Sequence, residues 1–240
     1  MPSTTPARFT GGISTALPTE PLAMFGMPSP FKWHVWFDDF DDFAAAQWVI
    51  TTTEAGAGSA TEAIGSLDGG ILVITNDAAD DDNDFFQWSG VDGAGVAETF
   101  RFEAGKRLIF ASRFKVSDAT QSDFIMGLQI TDTSPLAVTD GVYFRKDDGD
   151  ANLDFVVLKD SAGTTTTAFS TAANDTYMEL AFHYNGKDAI EIYKDGRKIA
   201  TSALTGLPDD EDLAISFGIQ NGEAVAKIMS VDYIFVAKER

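Results

Sequence analysis

At 240 residues, 44% of them hydrophobic, the chain is long enough for one large sandwich or two small domains. Its 37 acidic residues against 17 basic ones set a formal charge of −20, which repels nucleic acid and anionic membranes at long range. No cysteine is present, so disulfides, thiolate metal sites and cysteine nucleophiles are excluded, and no apolar run has membrane-spanning length.

Residues 1–34 carry Pro2, Pro6, Pro18, Pro21, Pro28 and Pro30, six of the eight prolines. Proline at this density blocks helix and ladder alike, so an extended arm is expected there, followed by a folded domain over residues 35–240. A disordered tail is the plain alternative. Against it, Phe9, Ile13, Leu17, Leu22, Met24, Phe25, Met27 and Phe31 are more apolar groups than a solvating tail needs. No apolar run follows a basic start, so no signal peptide is expected.

In residues 33–48, Trp36, Phe37, Phe40, Phe43 and Trp48 are spaced irregularly between aspartates. Core-edge aromatics are the expected reading, with a stacking platform for sugar rings as the sharper alternative. Residues 67–75, LDGGILVIT, read as a buried strand. Residues 76–84, NDAADDDND, form the most acidic loop, and Phe85, Phe86 and Trp88 follow it. Leu108, Phe110, Phe114 and Val116 alternate with Arg107, Arg113 and Lys115, and Phe124, Met126, Leu128 and Ile130 repeat the period of a half-buried strand. Val142 and Phe144 lead through a turn at residues 147–150 to Leu153, Phe155 and Val157, and the threonines at 164–167 suggest a further strand or its edge.

The clearest pattern lies in residues 177–200. Met178, Leu180, Phe182 and Tyr184 alternate, Asn185 and Gly186 offer a tight turn, Ile190 and Ile192 resume, and Asp195 and Gly196 turn again. This predicts a three-stranded meander whose apolar face needs a second sheet, with His183 outward at the surface. Leu213, Ile215, Phe217 and Ile219, then Met229, Val231, Tyr233 and Phe235, give the last alternating strands. The whole predicts an all-β antiparallel sandwich of roughly ten to fourteen strands with no helix longer than about two turns.

FDDF at 37–40 with Trp48, GGILVIT at 69–75, GKRLIFASRFKV at 105–116, LAFHYNGKDAIEIYKDGRKI at 180–199 and VDYIFV at 231–236 together resemble the concanavalin A-like or laminin-G-like jelly roll. Within that superfamily, TTTEAGAGSATEA followed by GGILVITNDAADDDND is most similar to the jelly-roll structural proteins of tailed-phage virions, in which an arm precedes one sandwich. The likeness covers about four fifths of the chain. It implies a non-enzymatic virion protein that decorates or stabilises a capsid and assembles in the host cytoplasm. Its partners would be the major capsid protein or other virion subunits, with further copies of itself on the particle. Phe9, Ile13, Leu17, Leu22, Phe25 and Phe31 are then the expected arm anchors.

Glycosidases with this fold carry Glu-x-Asp-x-Glu on one strand, which sets two carboxylates at the separation a retaining mechanism needs. No such motif occurs here. Asp80, Asp82 and Asp84 have the spacing but share a run with Asp81 and Asn83 too polar for a strand face. His34 and His183 have no nearby serine motif, so no triad is expected either. Lectin and laminin-G-like relatives often hold calcium through loop carboxylates, which makes Asn76, Asp77, Asp80, Asp82 and Asp84 a calcium-ligand set and Asp148, Asp150, Asn152 and Asp154 a weaker one. The second set lacks the glycine and distal glutamate of an EF-hand loop, and a solvated acidic loop is the plain reading of both. The alternative function is a lectin-like module, calcium-assisted, on a virion or secreted, with Trp88 beside the acidic loop as its glycan contact.

Overall fold

The computed structural model describes residues 7–8, 15–16, 31–55, 58–65, 69–90 and 98–240. Phe9, Ile13, Leu17, Leu22 and Phe25 lie outside them. Two-residue strands β1 (Ala7–Arg8) and β2 (Thr15–Ala16) pair antiparallel. The sandwich strands follow as β3 (Trp33–Asp38), β4 (Trp48–Thr53), β5 (Thr61–Ile64), β6 (Leu72–Thr75) and β7 (Asn83–Trp88). Next come β8 (Leu108–Val116), β9 (Ser122–Gln129), β10 (Gly141–Lys146), β11 (Asn152–Lys159) and β12 (Ala162–Thr171). The chain closes with β13 (Met178–Tyr184), β14 (Ile190–Lys194), β15 (Arg197–Ser202), β16 (Ala214–Asn221) and β17 (Ile228–Glu239).

These strands form two antiparallel sheets. One has the order β12-β11-β10-β9-β16-β7-β4, the other β15-β14-β13-β8-β17-β6-β5, with β3 pairing the C-terminal half of β17. The expected all-β antiparallel sandwich is the observed fold. Phe110, Phe114, Leu180 and Phe182 face inward from the eight-stranded sheet and meet Phe124, Met126, Phe144 and Phe155 of the other. The Phe182 ring stacks on Phe110 at 5.3 Å and meets the edge of Phe155 at 5.4 Å. Each such buried ring contributes about 1.5–3 kcal/mol.

The meander at 177–200 forms as expected, but its first reversal differs. Only Gly186 takes positive φ, and Asn185 instead bends the chain with its side chain, Oδ1 accepting from the backbone N–H groups of Lys187 at 2.9 Å and Asp188 at 3.0 Å. His183 points outward, yet it is 5% exposed rather than a surface group, because Glu191 on the neighbouring strand lies beside it, 3.3 Å from Nδ1.

The last strand departs most from its simple period. A bulge between Val231 and Tyr233 shifts its register against β8, so Val231, Ile234 and Val236 face the core while Tyr233 and Phe235 turn outward. The acidic loop is also shorter than the sequence suggests. β7 begins at Asn83, and Asp84 lies on its inward face in line with Phe86 and Trp88.

Candidate functional site

Three regions carry chemistry beyond the core. The first is the sandwich edge where β4 and β7 of one sheet face β5 and β6 of the other. Asp84 is fully buried there; its Oδ1 accepts a hydrogen bond from the Thr52 hydroxyl at 2.7 Å. Glu62, in register with the inward-facing Ile74, approaches from the opposite sheet. Burial pushes the Asp84 carboxyl up to about 7 against the Thr52 hydrogen bond, and a hydrogen bond shared with the Glu62 carboxyl, together with the charges of Glu62 and Glu54, adds to the rise. Asp82 is also buried, its two oxygens accepting from the backbone N–H groups of Ala55 at 2.6 Å and Ala79 at 3.1 Å. Glu54, Asp77 and Asp82 each offer one oxygen, and these oxygens lie within 4.8 Å of one another.

The structure therefore unites only part of the calcium set read from sequence. Asp77 and Asp82 come together, Asp84 sits two residues further along the same inward face, and Asp80 is exposed. Asn76 is a buried strut whose amide donates to the carbonyls of Asp82 at 3.0 Å and Ile219 at 3.1 Å. Sequence reading missed Glu54 and Glu62, since only the pairing of β4 with β7 and of β5 with β6 brings them to this edge. A solvated acidic loop is the wrong description of Asp82 and Asp84, which have left solvent altogether. In the weaker set, carboxylates serve local backbone: Asp150 Oδ1 accepts from the Asn152 N–H at 2.7 Å, and Asp154 Oδ1 from that of Ala168 at 2.7 Å.

The second region is the outer face of the seven-stranded sheet. Phe85, Ile125, Tyr143 and Val156 make a small apolar cluster, over which residues 131–139 lay Leu136 and Val138. Gly127 permits this, because a Cβ there would stand 2.5 Å from Cα of Tyr143. Two buried glutamines hold the loop down: Gln87 donates to Ile130 O and accepts from the Asp132 N–H, both at 2.9 Å, and Gln129 donates to Pro135 O at 3.0 Å. Between this loop and the sheet runs a groove of about 190 Å³ lined by Thr51, Thr53, Asn83, Phe85, Ser134 and Gln220, among others.

The third region is the outer face of the eight-stranded sheet, beside the point where residues 31–33 enter. The bulge places Tyr233 and Phe235 there, next to Trp33, Val35 and Ile109. Phe37 is 56% exposed with its ring 6.4 Å from Tyr233, and Phe31, the one expected arm anchor among the described residues, is 87% exposed. The cations of this face are engaged: Arg107 with Glu239 and over the Trp33 ring, Arg113 with Asp232 and over Tyr177, Lys198 with Glu191. Trp88 belongs to none of these surfaces. It is half-buried and packs edge to face with Trp36 at 5.2 Å and Trp48 at 5.1 Å.

No known family's sequence model matches the chain, and no curated protein sequence does either. Solved structures do match. A protein of unknown function from Shewanella oneidensis MR-1 aligns over 98% of this chain and 97% of its own, with TM-score 0.58 and 16% identity. A Bacteroides ovatus GH16 solved with a glucan product, G4G4G3G, aligns over 84% of this chain and 99% of its own, with TM-score 0.58 and 12% identity. The CBM2 module of an evolved Dit from the Lactobacillus casei BL23 phage J-1 aligns over 86% of this chain and 96% of its own, with TM-score 0.54 and 12% identity. At such identities the likeness is one of fold, and by fold this chain is similar to the jelly-roll sandwiches found in carbohydrate-binding modules and enzymes.

Proposed function

We propose that the chain is a non-enzymatic structural protein of a phage virion, anchored to the major capsid protein or a neighbouring subunit by residues 1–34 and the adjoining face of the eight-stranded sheet. The observation that carries this reading is the exposed Phe31 at the arm junction, with Phe37, Tyr233 and Phe235 further along the same strand pair, on a face where Arg107, Arg113 and Lys198 are already paired. Burial of these rings contributes roughly 25 cal/mol per Å² of apolar area, and many copies on a particle turn a weak contact into avidity. The carboxylate-rich loops, including Asp147, Asp148 and Asp150, lie exposed elsewhere and would face solvent, where like charge opposes aggregation. A phage module among the similar folds supports the same reading. The lack of a catalytic function draws support from the seven-stranded sheet, whose outer face presents Phe85, Gln87, Ile125, Gly127 and Tyr143 where a glycosidase needs paired carboxylates.

The test is co-sedimentation with particles that lack this component. The full chain should sediment, whereas a chain without residues 1–30 and a Phe31→Ser/Phe37→Ser variant should each lose at least tenfold. A truncated chain that sediments like the full one overturns the proposal.

The groove on the seven-stranded sheet favours a second reading, a glycan-binding module, because hydroxyl and amide groups line an apolar floor there. Retention on an envelope polysaccharide that falls on Asn83→Ala and Gln220→Ala, but not on Trp88→Ala, is the outcome this reading expects.

A further inference from the structure

We propose that a cationic notch at one end of the sandwich docks the acidic loop at residues 77–81 of a second copy, so that copies join head to tail. The notch has a volume of about 390 Å³ and is lined by Phe31, Lys32, Gly105, Lys106, Glu239 and Arg240. Backbone pairing builds it. The Arg240 N–H donates to Lys32 O at 2.9 Å, the Glu239 N–H to Arg107 O at 2.9 Å and the Gly105 N–H to Gly186 O at 2.6 Å, which fixes the surrounding segments around one hollow. Gly105 holds φ 84° with open space where a side chain would stand, so the mouth is left clear.

Charge marks the same place. Lys32, Lys106, Arg107, Lys238 and Arg240 gather at this end, and the carboxylates among them are Glu103, shared by Lys106 and Lys238, and Glu239, held by Arg107. Cations therefore outnumber these carboxylates locally in a chain whose formal charge is −20, while Lys187 and Asp188 on the adjoining turn offset each other. The His34 imidazole registers this field: burial first, then the charges of Arg240 and Lys238, push it below its ordinary value.

The complement lies at the opposite end. β17 runs from Ile228, paired with Thr75 just before the acidic loop, to Glu239 at the notch. Its 12 residues set the two ends about 40 Å apart, so a single copy cannot close the contact on itself. Asp80 and Asp81 are exposed, and among the described residues no lysine, arginine or histidine forms an ion pair with Asp77, Asp80 or Asp81. Asp81 takes positive φ and its Oδ1 accepts from Gln220 Nε2 at 2.9 Å, which sets the shape of the loop before anything docks. Two unlike patches that complement each other make a heterologous contact, which propagates as a string or closes as a ring. The turn at residues 147–150 stays in solvent. This contact uses Lys32 and Lys106 rather than the rings of Phe37 and Tyr233, so it can fail while the virion reading stands, and the reverse.

The experiment follows sedimentation of the full chain against protein concentration at three salt concentrations. At about 0.01 M salt the −20 charges repel over about 30 Å, at about 0.15 M that reach shrinks to about 8 Å while close pairs persist, and about 1 M screens the pairs as well. Association should be tightest at about 0.15 M and at least roughly tenfold weaker at about 1 M. Lys32→Glu with Lys106→Glu reverses the notch. Asp80→Lys with Asp81→Asn reverses the loop and keeps at 81 an oxygen for Gln220 on a residue type that tolerates positive φ. Each double variant should melt like the parent and associate at least roughly tenfold more weakly at about 0.15 M salt. An equimolar mixture of the two should recover association, because each supplies the patch the other has lost. Double variants that associate like the parent overturn the proposal, as does a mixture that fails to recover. A parent that stays monomeric at every salt concentration also overturns it, even where the notch takes up a polyglutamate peptide, which would make the occupant another protein.

Discussion

The outer faces of the two sheets solve the same problem in opposite ways. Both carry apolar residues that the central core does not absorb. The seven-stranded sheet covers its own: residues 131–139 fold across Phe85, Ile125 and Tyr143, and Gln87 and Gln129 satisfy the loop's backbone groups beneath it. The eight-stranded sheet leaves Phe37 and the rings around it to solvent. Its strip exists because one bulge turns Tyr233 and Phe235 outward in a strand that otherwise feeds the core. A face the chain covers by itself needs no partner, whereas a left-over apolar face is where a partner gains most.

The comparison requires both faces to rest on one cooperative core, and the largest effect tests that. Phe182 is fully buried and touches the rings of Phe110, Phe144 and Phe155 from both sheets. Phe182→Ala should cost about 3–5 kcal/mol in denaturant unfolding and should lower protection of both faces in hydrogen exchange together. Loss confined to one face would mean the sheets fold separately. Gln87→Ala should cost about 2–3 kcal/mol, because Ile130 O and the Asp132 N–H lose their partner in a covered site. Its distinguishing signature is faster exchange of residues 130–139 with the eight-stranded face unchanged.

Much of the fold was legible because its information is local. Alternation marked β8, β9, β13 and β16, and the glycine-bearing turns separated β13 from β14 and β14 from β15. What local pattern could not carry was register over long separations. Asp232 reads as one polar step in an alternating strand, but pairing with β8 makes it a bulge and reverses the side chains beyond it. Asp84 reads as the end of an acidic loop until Thr52 on β4 pairs with it. Glu54 and Glu62 had no reason to be grouped with the 76–84 loop before β5 was placed beside β6. Trp88 reads from sequence only as a ring beside the acidic loop, and its half-buried packing against Trp36 and Trp48 depends on how β3, β4 and β7 are brought together.

The smallest expected effect concerns the joint between the two sheets. The turn from β8 to β9 and the turn from β16 to β17 both cross from one sheet to the other, and Asp118 in the first pairs with the buried Lys227 in the second at 2.9 Å. Burial alone would raise the Asp118 carboxyl, but the N–H groups of Gln121 and Thr120 and the Lys227 ammonium outweigh it and hold the group at about 2, below its ordinary 3.8. A carboxyl depressed in the fold contributes stability that is present above its unfolded value and is lost as pH falls toward the folded one. The joint should therefore hold at pH 5 and weaken between pH 4 and pH 2, by about 1–2 kcal/mol once partial exposure is allowed for. Urea unfolding of the parent and of Asp118→Asn across that range isolates the contribution from the many other carboxylates. The gap between the two proteins should be widest near pH 5 and close by pH 2; a gap that stays constant would mean Asp118 acts only as a turn cap, and the two faces would be coupled through the core alone.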